Sequence, residues 1–270
     1  MNALPALLAL IATVLYLSVA IAVARAVARR QAPSRAPLLA LLALALLQHG
    51  GVMYGLMIQP GGLHFGFFTI AVLHAWLLAV LALLVNLHRP VQGIYLVALP
   101  LAAFELSLGV IGHERAPVPA PLTPAVQGHI LLSLLAYSIL SISALQAILV
   151  SWQESALRRH RRGLLLALPA LQTMEKMLFE LIALGFGLLT LAIGSGFIVL
   201  DDMLAQHVAH KTVFSLVAWL IFAILLLGRH WRGWRGRMAV RFTLIGFVLL
   251  LIGFVGTKFV LELVLARAAS

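Results

Sequence analysis

The sequence contains no cysteine and few charged residues. The absence of cysteine from its 270 residues excludes structural disulfides, thiolate metal sites and cysteine nucleophiles. Charged residues make up 10% of the chain, compared with about 25% in soluble domains. Hydrophobic residues make up 63%, which is more apolar side chain than a soluble fold of this length can bury. These figures predict an integral membrane protein.

Acidic residues are also scarce: 8 stand against 19 lysines and arginines, which gives a formal net charge of +11. In a soluble protein this excess would suggest nucleic-acid binding. Here the basic residues lie in short segments between apolar runs, a pattern typical of membrane topology. Trp231 and Trp234, interleaved with Arg232 and Arg235, suit an anchor at the level of the lipid headgroups. We therefore predict contact with the lipid bilayer and no nucleic-acid partner.

Common enzyme signatures are missing. No GxGxxG, P-loop, HExxH or GxSxG pattern occurs in a usable context, and no period of 20 to 50 residues repeats. A nucleophile, a general base and an orienting group cannot be placed together from spacing alone. The sequence therefore predicts a protein that is not an enzyme.

Long apolar runs dominate what is present. A bilayer core of about 30 Å requires about 20 apolar helical residues. Eight runs fit that length, which predicts an all-α, polytopic membrane helix bundle of about eight transmembrane helices in a single transmembrane domain, 1–270. The first run is expected to be a retained span, since no basic residue precedes it. A surface helix is expected over 164–179. The eight runs are 4–24, 37–57, 66–87, 91–111, 126–150, 178–200, 212–228 and 240–265.

The distribution of basic residues predicts the orientation. When alternate loops are placed on opposite sides, 15 of the 19 lysines and arginines fall on one side. The positive-inside rule assigns that side to the cytoplasm. We therefore expect a multi-pass protein with its arginine-rich loops in the cytoplasm and both termini outside.

Histidines show the opposite distribution. Seven of the ten map to outer loops or to the outer halves of spans. Ionisable groups inside a membrane are costly and are functional candidates by default. Without cysteine, histidine is the ligand type expected for haem iron. His49, His74 and His129 are therefore candidate haem ligands. The alternatives are a hydrogen bond at the helix mouth for His129, a bond to a neighbouring serine or carbonyl for His49, and packing or partner bonding for His74.

A second group of polar residues supports a rival hypothesis. Asp201, Asp202 and His207 lie in one outer loop, and Glu105 lies within the fourth span. Carboxylates with imidazoles are possible ligands of a divalent cation, so a transporter or cation efflux protein is an alternative. A non-catalytic scaffold that holds a partner through its glycine faces is a third possibility.

The second half of the chain resembles the cytochrome c assembly protein family, the CcsA, CcmC and HemX-like haem handlers. Its short, eight-span YpjD type is the nearest in pattern. The resemblance runs from about 129 to 263 and includes Gly128-His-Ile-Leu-Leu-Ser133, Leu168-Pro-Ala-Leu-Gln-Thr-Met-Glu175, Gly185-Phe-Gly-Leu-Leu-Thr190 and His210-Lys-Thr-Val-Phe-Ser215.

This resemblance implies a function and a site. It implies a haem-binding protein of cytochrome c biogenesis, with haem iron held through His129 at the outer face and His49 in the haem pathway. His74 and His210 complete the candidate set, and other cytochrome c maturation proteins are the implied partners. The stretch 197–207 has no tryptophan, whereas larger members carry a tryptophan-rich loop there. Presentation of haem to apocytochrome is therefore not part of the prediction.

Overall fold

The computed structural model describes residues 3–59, 62–89, 91–113, 122–159, 168–199 and 209–256. Within these ranges eight helices are long and apolar enough to cross a membrane, which confirms the all-α, multi-pass prediction. They are α1 (Ala3–Ala28), α2 (Arg35–Met57), α3 (Phe67–His88), α4 (Tyr95–His113), α5 (Pro124–Arg158), α6 (Leu171–Val199), α7 (Ala209–Arg232) and α8 (Arg237–Leu251). A 3-10 turn, Gln92–Ile94, precedes α4, and a π-helical turn, Ile252–Gly256, follows α8.

The helix boundaries agree with the apolar runs to within a few residues in most cases. The main exceptions are α5, which continues eight residues past its run to Arg158, and α6, which begins seven residues before its run at Leu171. Residues 171–179 form the first turns of α6, so for this segment the expectation of a separate surface helix is wrong. Here the apolar pattern of the surface segment continues without a break into the sixth span. The rest of the expected surface helix, 164–170, is described only from 168 onward, outside a helix.

The chain divides into two compact units, Met1–Leu122 with Leu149–Met174, and Thr123–Ile148 with Glu175–Ser270. The expectation of a single domain stays a prediction. In the first unit α1 packs against α2 and α4, and α3 packs against the same two helices. A hairpin between α2 and α3 pairs Ile58 with Leu63 and Gln59 with Gly62.

Helix α5 is the longest and carries a buried polar ladder. Its 35 residues span about 52 Å at 1.5 Å per residue, longer than the hydrocarbon core. Ser138, Ser141 and Ser143 are buried, and each hydroxyl donates to the carbonyl four residues earlier, at 2.8 to 2.9 Å. Each hydroxyl thereby finds its acceptor within the helix, as a low-dielectric environment requires.

In the second unit, small residues set close approaches between helices. A Cβ atom at Gly185 of α6 would lie 2.6 Å from Leu140 Cδ2 of α5. At Gly246 of α8 it would lie 2.9 Å from the Phe222 ring of α7. At these two glycines the absence of a side chain therefore allows the helices to approach closely. At Gly187 and Gly194 no atom lies within 4 Å of the added Cβ, so these two glycines do not mark such approaches.

Candidate functional site

His129 lies in the second turn of α5 and contacts α6. Its Nδ1 atom is 2.9 Å from Ser195 Oγ. The Ser195 hydroxyl in turn donates to the Ala192 carbonyl at 2.9 Å. The histidine is half-buried, so this imidazole is fixed by a second helix and is not enclosed on all sides.

The serine determines the tautomer of His129. A carbonyl oxygen can only accept, so the single hydroxyl proton of Ser195 is used at Ala192. We assign Ser195 Oγ as the acceptor from His129, with the proton on Nδ1, which is the arrangement that satisfies both bonds of the serine. A neutral imidazole protonated on Nδ1 keeps its lone pair on Nε2. Orienting a ligand histidine through a hydrogen bond from its other ring nitrogen is the usual arrangement behind metal-binding imidazoles.

The register between α5 and α6 places this pair. The closest approach of the two helices joins Gly185 to Ile139 and Leu140. Ile139 lies ten residues after His129, and Gly185 lies ten residues before Ser195. For antiparallel helices these intervals are equal, about 15 Å along each axis. One close glycine contact is therefore in register with the histidine–serine contact near the other end.

His49 has a different environment in the first unit. It is 0% exposed, and its Nε2 lies 3.1 Å from the Val72 carbonyl, to which it must donate. Its Nδ1 lies 3.0 Å from the Tyr16 hydroxyl, so Nδ1 accepts from Tyr16. Both ring nitrogens of His49 are therefore hydrogen-bonded. A haem ligand at this position would have to displace the tyrosine hydroxyl.

His74 and Glu105 form a pair between α3 and α4 of the same unit. Nδ1 of His74 is 2.7 Å from Glu105 Oε2, and the two side chains are 5% and 20% exposed. The carboxylate accepts from Nδ1, since an ionised carboxylate has no proton to donate. His74 is two residues beyond Val72, the partner of His49, so these two histidines lie at a similar depth. The intramembrane carboxylate assigned to a cation pathway is thus engaged by a histidine.

Several candidates lie partly or wholly outside the described residues. The backbone of His210 belongs to the first turn of α7, and its side chain is not described. Asp201, Asp202 and His207 lie in an undescribed segment, 200–208. No cluster of three or more histidine, aspartate or glutamate side chains able to hold a metal ion occurs within the ranges that the structure covers.

Two functional candidates, Tyr16 and Ser195, could not be identified from the sequence. Tyr16 is fully buried and hydrogen-bonded to His49, yet it lies among aliphatic residues of the first span. Ser195 stands between two glycines, where it reads as part of a small-residue packing face. Neither residue carries a local signal for its role, because pairing between distant helices sets both contacts.

The fold and these contacts define a multi-pass helical membrane protein with hydrogen-bonded histidines inside its spans. Residues 38–265 match the model of the family described as cytochrome c assembly protein. The chain therefore belongs to the cytochrome c assembly protein family, which confirms the resemblance seen in the sequence.

Relatives within the family are distant and match only part of the chain. The inner membrane protein YpjD of Escherichia coli K12 is 33% identical over 142 residues, 53% of this chain and 54% of that protein. The cytochrome c biogenesis protein CcsA of Gloeobacter violaceus is 32% identical over 93 residues, 34% of this chain and 28% of that protein. The chain thus spans about half the length of YpjD. No solved structure matches.

Proposed function

We propose that this protein binds haem through Nε2 of His129 and acts as an accessory factor in cytochrome c biogenesis in a bacterial inner membrane. The observation that carries the proposal is the pair of hydrogen bonds that link His129 Nδ1 to Ser195 Oγ and Ser195 Oγ to the Ala192 carbonyl. In the tautomer assigned from these bonds, a neutral imidazole has its lone pair on Nε2. Family membership supplies the biological context.

The residues present fit such a ligand. Haem iron takes one or two axial ligands, for which an imidazole nitrogen is a common donor. Ser195 holds the ring in one orientation and one tautomer, so little ordering is required when Nε2 binds. His129 lies in the second turn of α5 and therefore near one end of this span. The predicted orientation would place it on the periplasmic side.

The roles of the other histidines are assigned from their hydrogen bonds. His49 is held by Tyr16 and Val72, so we assign it to the haem pathway only in a state where the tyrosine hydroxyl has moved. His74, backed by Glu105, has the carboxylate–histidine arrangement found behind many ligand imidazoles. The proposed activity is binding and transfer of haem, with no chemical turnover. Its partners are the bilayer and other maturation proteins.

An absorption spectrum tests the proposal. Full-length protein purified after haem-replete expression should show a Soret band, and His129→Ala should remove most of it because the axial nitrogen is lost. His49→Ala should weaken the band less, since its lone pair is already engaged by Tyr16. In His129→Gly, added imidazole should restore the band, which separates a lost ligand from a lost fold.

His88→Ala is the matched control. His88 is exposed at the arginine-rich end of α3 and bonds the Leu84 carbonyl of its own helix, so its removal should leave the band unchanged. A colourless wild-type preparation would overturn haem binding. A full band in His129→Ala would overturn the assignment of the ligand.

A further inference from the structure

The turn between α7 and α8, residues 228–241, is short and basic. It carries five arginines, and only four residues separate the end of α7 at Arg232 from the start of α8 at Arg237. Both flanking helices are membrane-spanning candidates. A connection this short cannot leave the bilayer surface, so its side chains lie at the level of the lipid headgroups.

Contacts within the second unit fix the shape of this turn. The Trp234 ring packs on Gly228 of α7, where any side chain would collide with it. Arg229 donates to the Trp234 carbonyl at 3.2 Å and lies 4.6 Å from the centroid of the Phe179 ring. The backbone closes through a hydrogen bond from Trp234 N to the Gly228 carbonyl. The conformation of the turn is therefore held by side-chain and backbone contacts.

The acidic residues of this region are already engaged. Glu175 accepts from the backbone N–H of Gly236 at 2.9 Å, at the start of α8. Glu180 lies 3.9 Å from Lys176. Among the residues that the structure describes in the second unit, these are the two carboxylates. These two carboxylates are too few to offset the five arginines of the turn, which keeps a net positive charge.

The remaining side chains are presented outward. Arg232, Arg235 and Arg241 are exposed, and Trp231 exposes 75% of its surface. Tryptophan is favoured at the membrane interface, and arginine pairs with phosphate through a planar fork of N–H donors. Exposed arginines beside an interfacial indole are complementary to a phosphate group at the same depth.

We propose that the α7–α8 turn is a binding site for the headgroup of an anionic phospholipid, with Arg232, Arg235 and Arg241 as its phosphate ligands and Trp231 against the upper acyl chain. The site is separate from His129 and does not depend on haem binding. Its occupant is a lipid and not a soluble phosphate, because the exposed indole requires an apolar partner as well as an anion.

Native mass spectrometry of the full-length protein tests this site. Protein in a neutral detergent is titrated with phosphatidylglycerol or phosphatidylcholine, and bound lipid is counted. We expect retention of phosphatidylglycerol, and a loss of apparent affinity of roughly hundred-fold in the triple variant R232Q/R235Q/R241Q, as expected for about 1 kcal/mol per arginine. Phosphatidylcholine should bind weakly to both proteins.

The matched control removes three exposed arginines elsewhere. R25Q/R29Q/R159Q changes the net charge equally and should retain the lipid affinity of the wild type. An equal loss in this control would overturn the site in favour of general charge attraction, and an unchanged triple variant would overturn it outright. Displacement of the lipid by glycerol phosphate at similar concentration would show a soluble-phosphate site instead.

A single-residue series keeps the test decisive if the triple variant fails to fold. Arg235→Gln should lower the affinity about five-fold, and Trp231→Ala should lower it without any change in charge. Equal lipid binding by wild type, Arg235→Gln and Trp231→Ala would contradict the proposal.

Discussion

At the scale of single residues, the role of each histidine depends on the hydrogen-bond partners of its two ring nitrogens. In His129, Nδ1 is bonded to Ser195, whose hydroxyl proton is donated to the Ala192 carbonyl. In this tautomer the lone pair on Nε2 can bind a ligand. In His49 a carbonyl and a tyrosine hydroxyl occupy the two nitrogens. The sequence predicts the depth of both residues, but it contains no sign of their partners. Two histidines that look alike in the sequence therefore differ in their availability to haem.

Replacing Ser195 by alanine tests the positioning of His129. The imidazole keeps its place but loses the acceptor that fixes its tautomer, so haem affinity should fall about 10- to 100-fold, the usual cost of losing such a partner. Haem titration followed at the Soret band measures this, and Ser195→Thr should restore most of the affinity. Ser18→Ala is the control, because that hydroxyl bonds the Val14 carbonyl of its own helix. Unchanged affinity in Ser195→Ala would remove the positioning role.

At the scale of elements, apolar length alone predicts most of the fold. Each run of about 20 residues becomes a helix, because every backbone polar group must be satisfied internally in lipid. The sequence does not reveal the contacts between helices, since the surrounding lipid is as apolar as the packed side chains. Gly185 and Gly187 therefore look equivalent in the sequence, whereas only Gly185 faces a neighbouring helix at close range.

Alanine at these two glycines should give opposite results. Gly185→Ala places a methyl group 2.6 Å from Leu140 Cδ2, and the overpacking should destabilise the protein by about 1 to 3 kcal/mol. Gly187→Ala has no atom within 4 Å of the new Cβ and should be neutral or stabilising by up to about 1 kcal/mol. Thermal unfolding in detergent measures both. Equal melting temperatures would show that the α5–α6 approach adapts without cost.

Because the sequence does not reveal side-chain contacts, it treats Trp231 and Trp234 alike as anchors at the lipid headgroups, although the structure gives them different surroundings. Both Trp231 and Trp234 are placed near the membrane surface by their neighbouring arginines, and Trp231 is exposed there. Trp234 instead packs on Gly228 and lies 5.1 Å from Phe242, centroid to centroid. Its structural role depends on a turn whose two glycines, Gly233 and Gly236, adopt positive φ values of 66° and 58°. The composition of the segment predicts the α7–α8 turn, whereas the contact of the Trp234 ring with Gly228 and Phe242 depends on the folded backbone of that turn.

At the scale of the whole molecule, the direction of insertion decides what His129 does. Fifteen of the 19 lysines and arginines lie on one predicted side, and long cytoplasmic loops are not needed for that bias to act. With this orientation the amino-terminal end of α5, which carries His129, faces the periplasm. Cytochrome c is matured on that side, so the orientation and the proposed function depend on each other.

Cysteine labelling measures the orientation without background, because the natural chain contains no cysteine. Leu63→Cys and Ala125→Cys, both exposed, should react with a membrane-impermeant maleimide on intact spheroplasts. Ser34→Cys and Ser155→Cys, also exposed, should react only after permeabilisation. The reverse pattern would move His129 to the cytoplasmic side. Haem binding by His129 would then have to serve delivery from the cytoplasm and not maturation outside it.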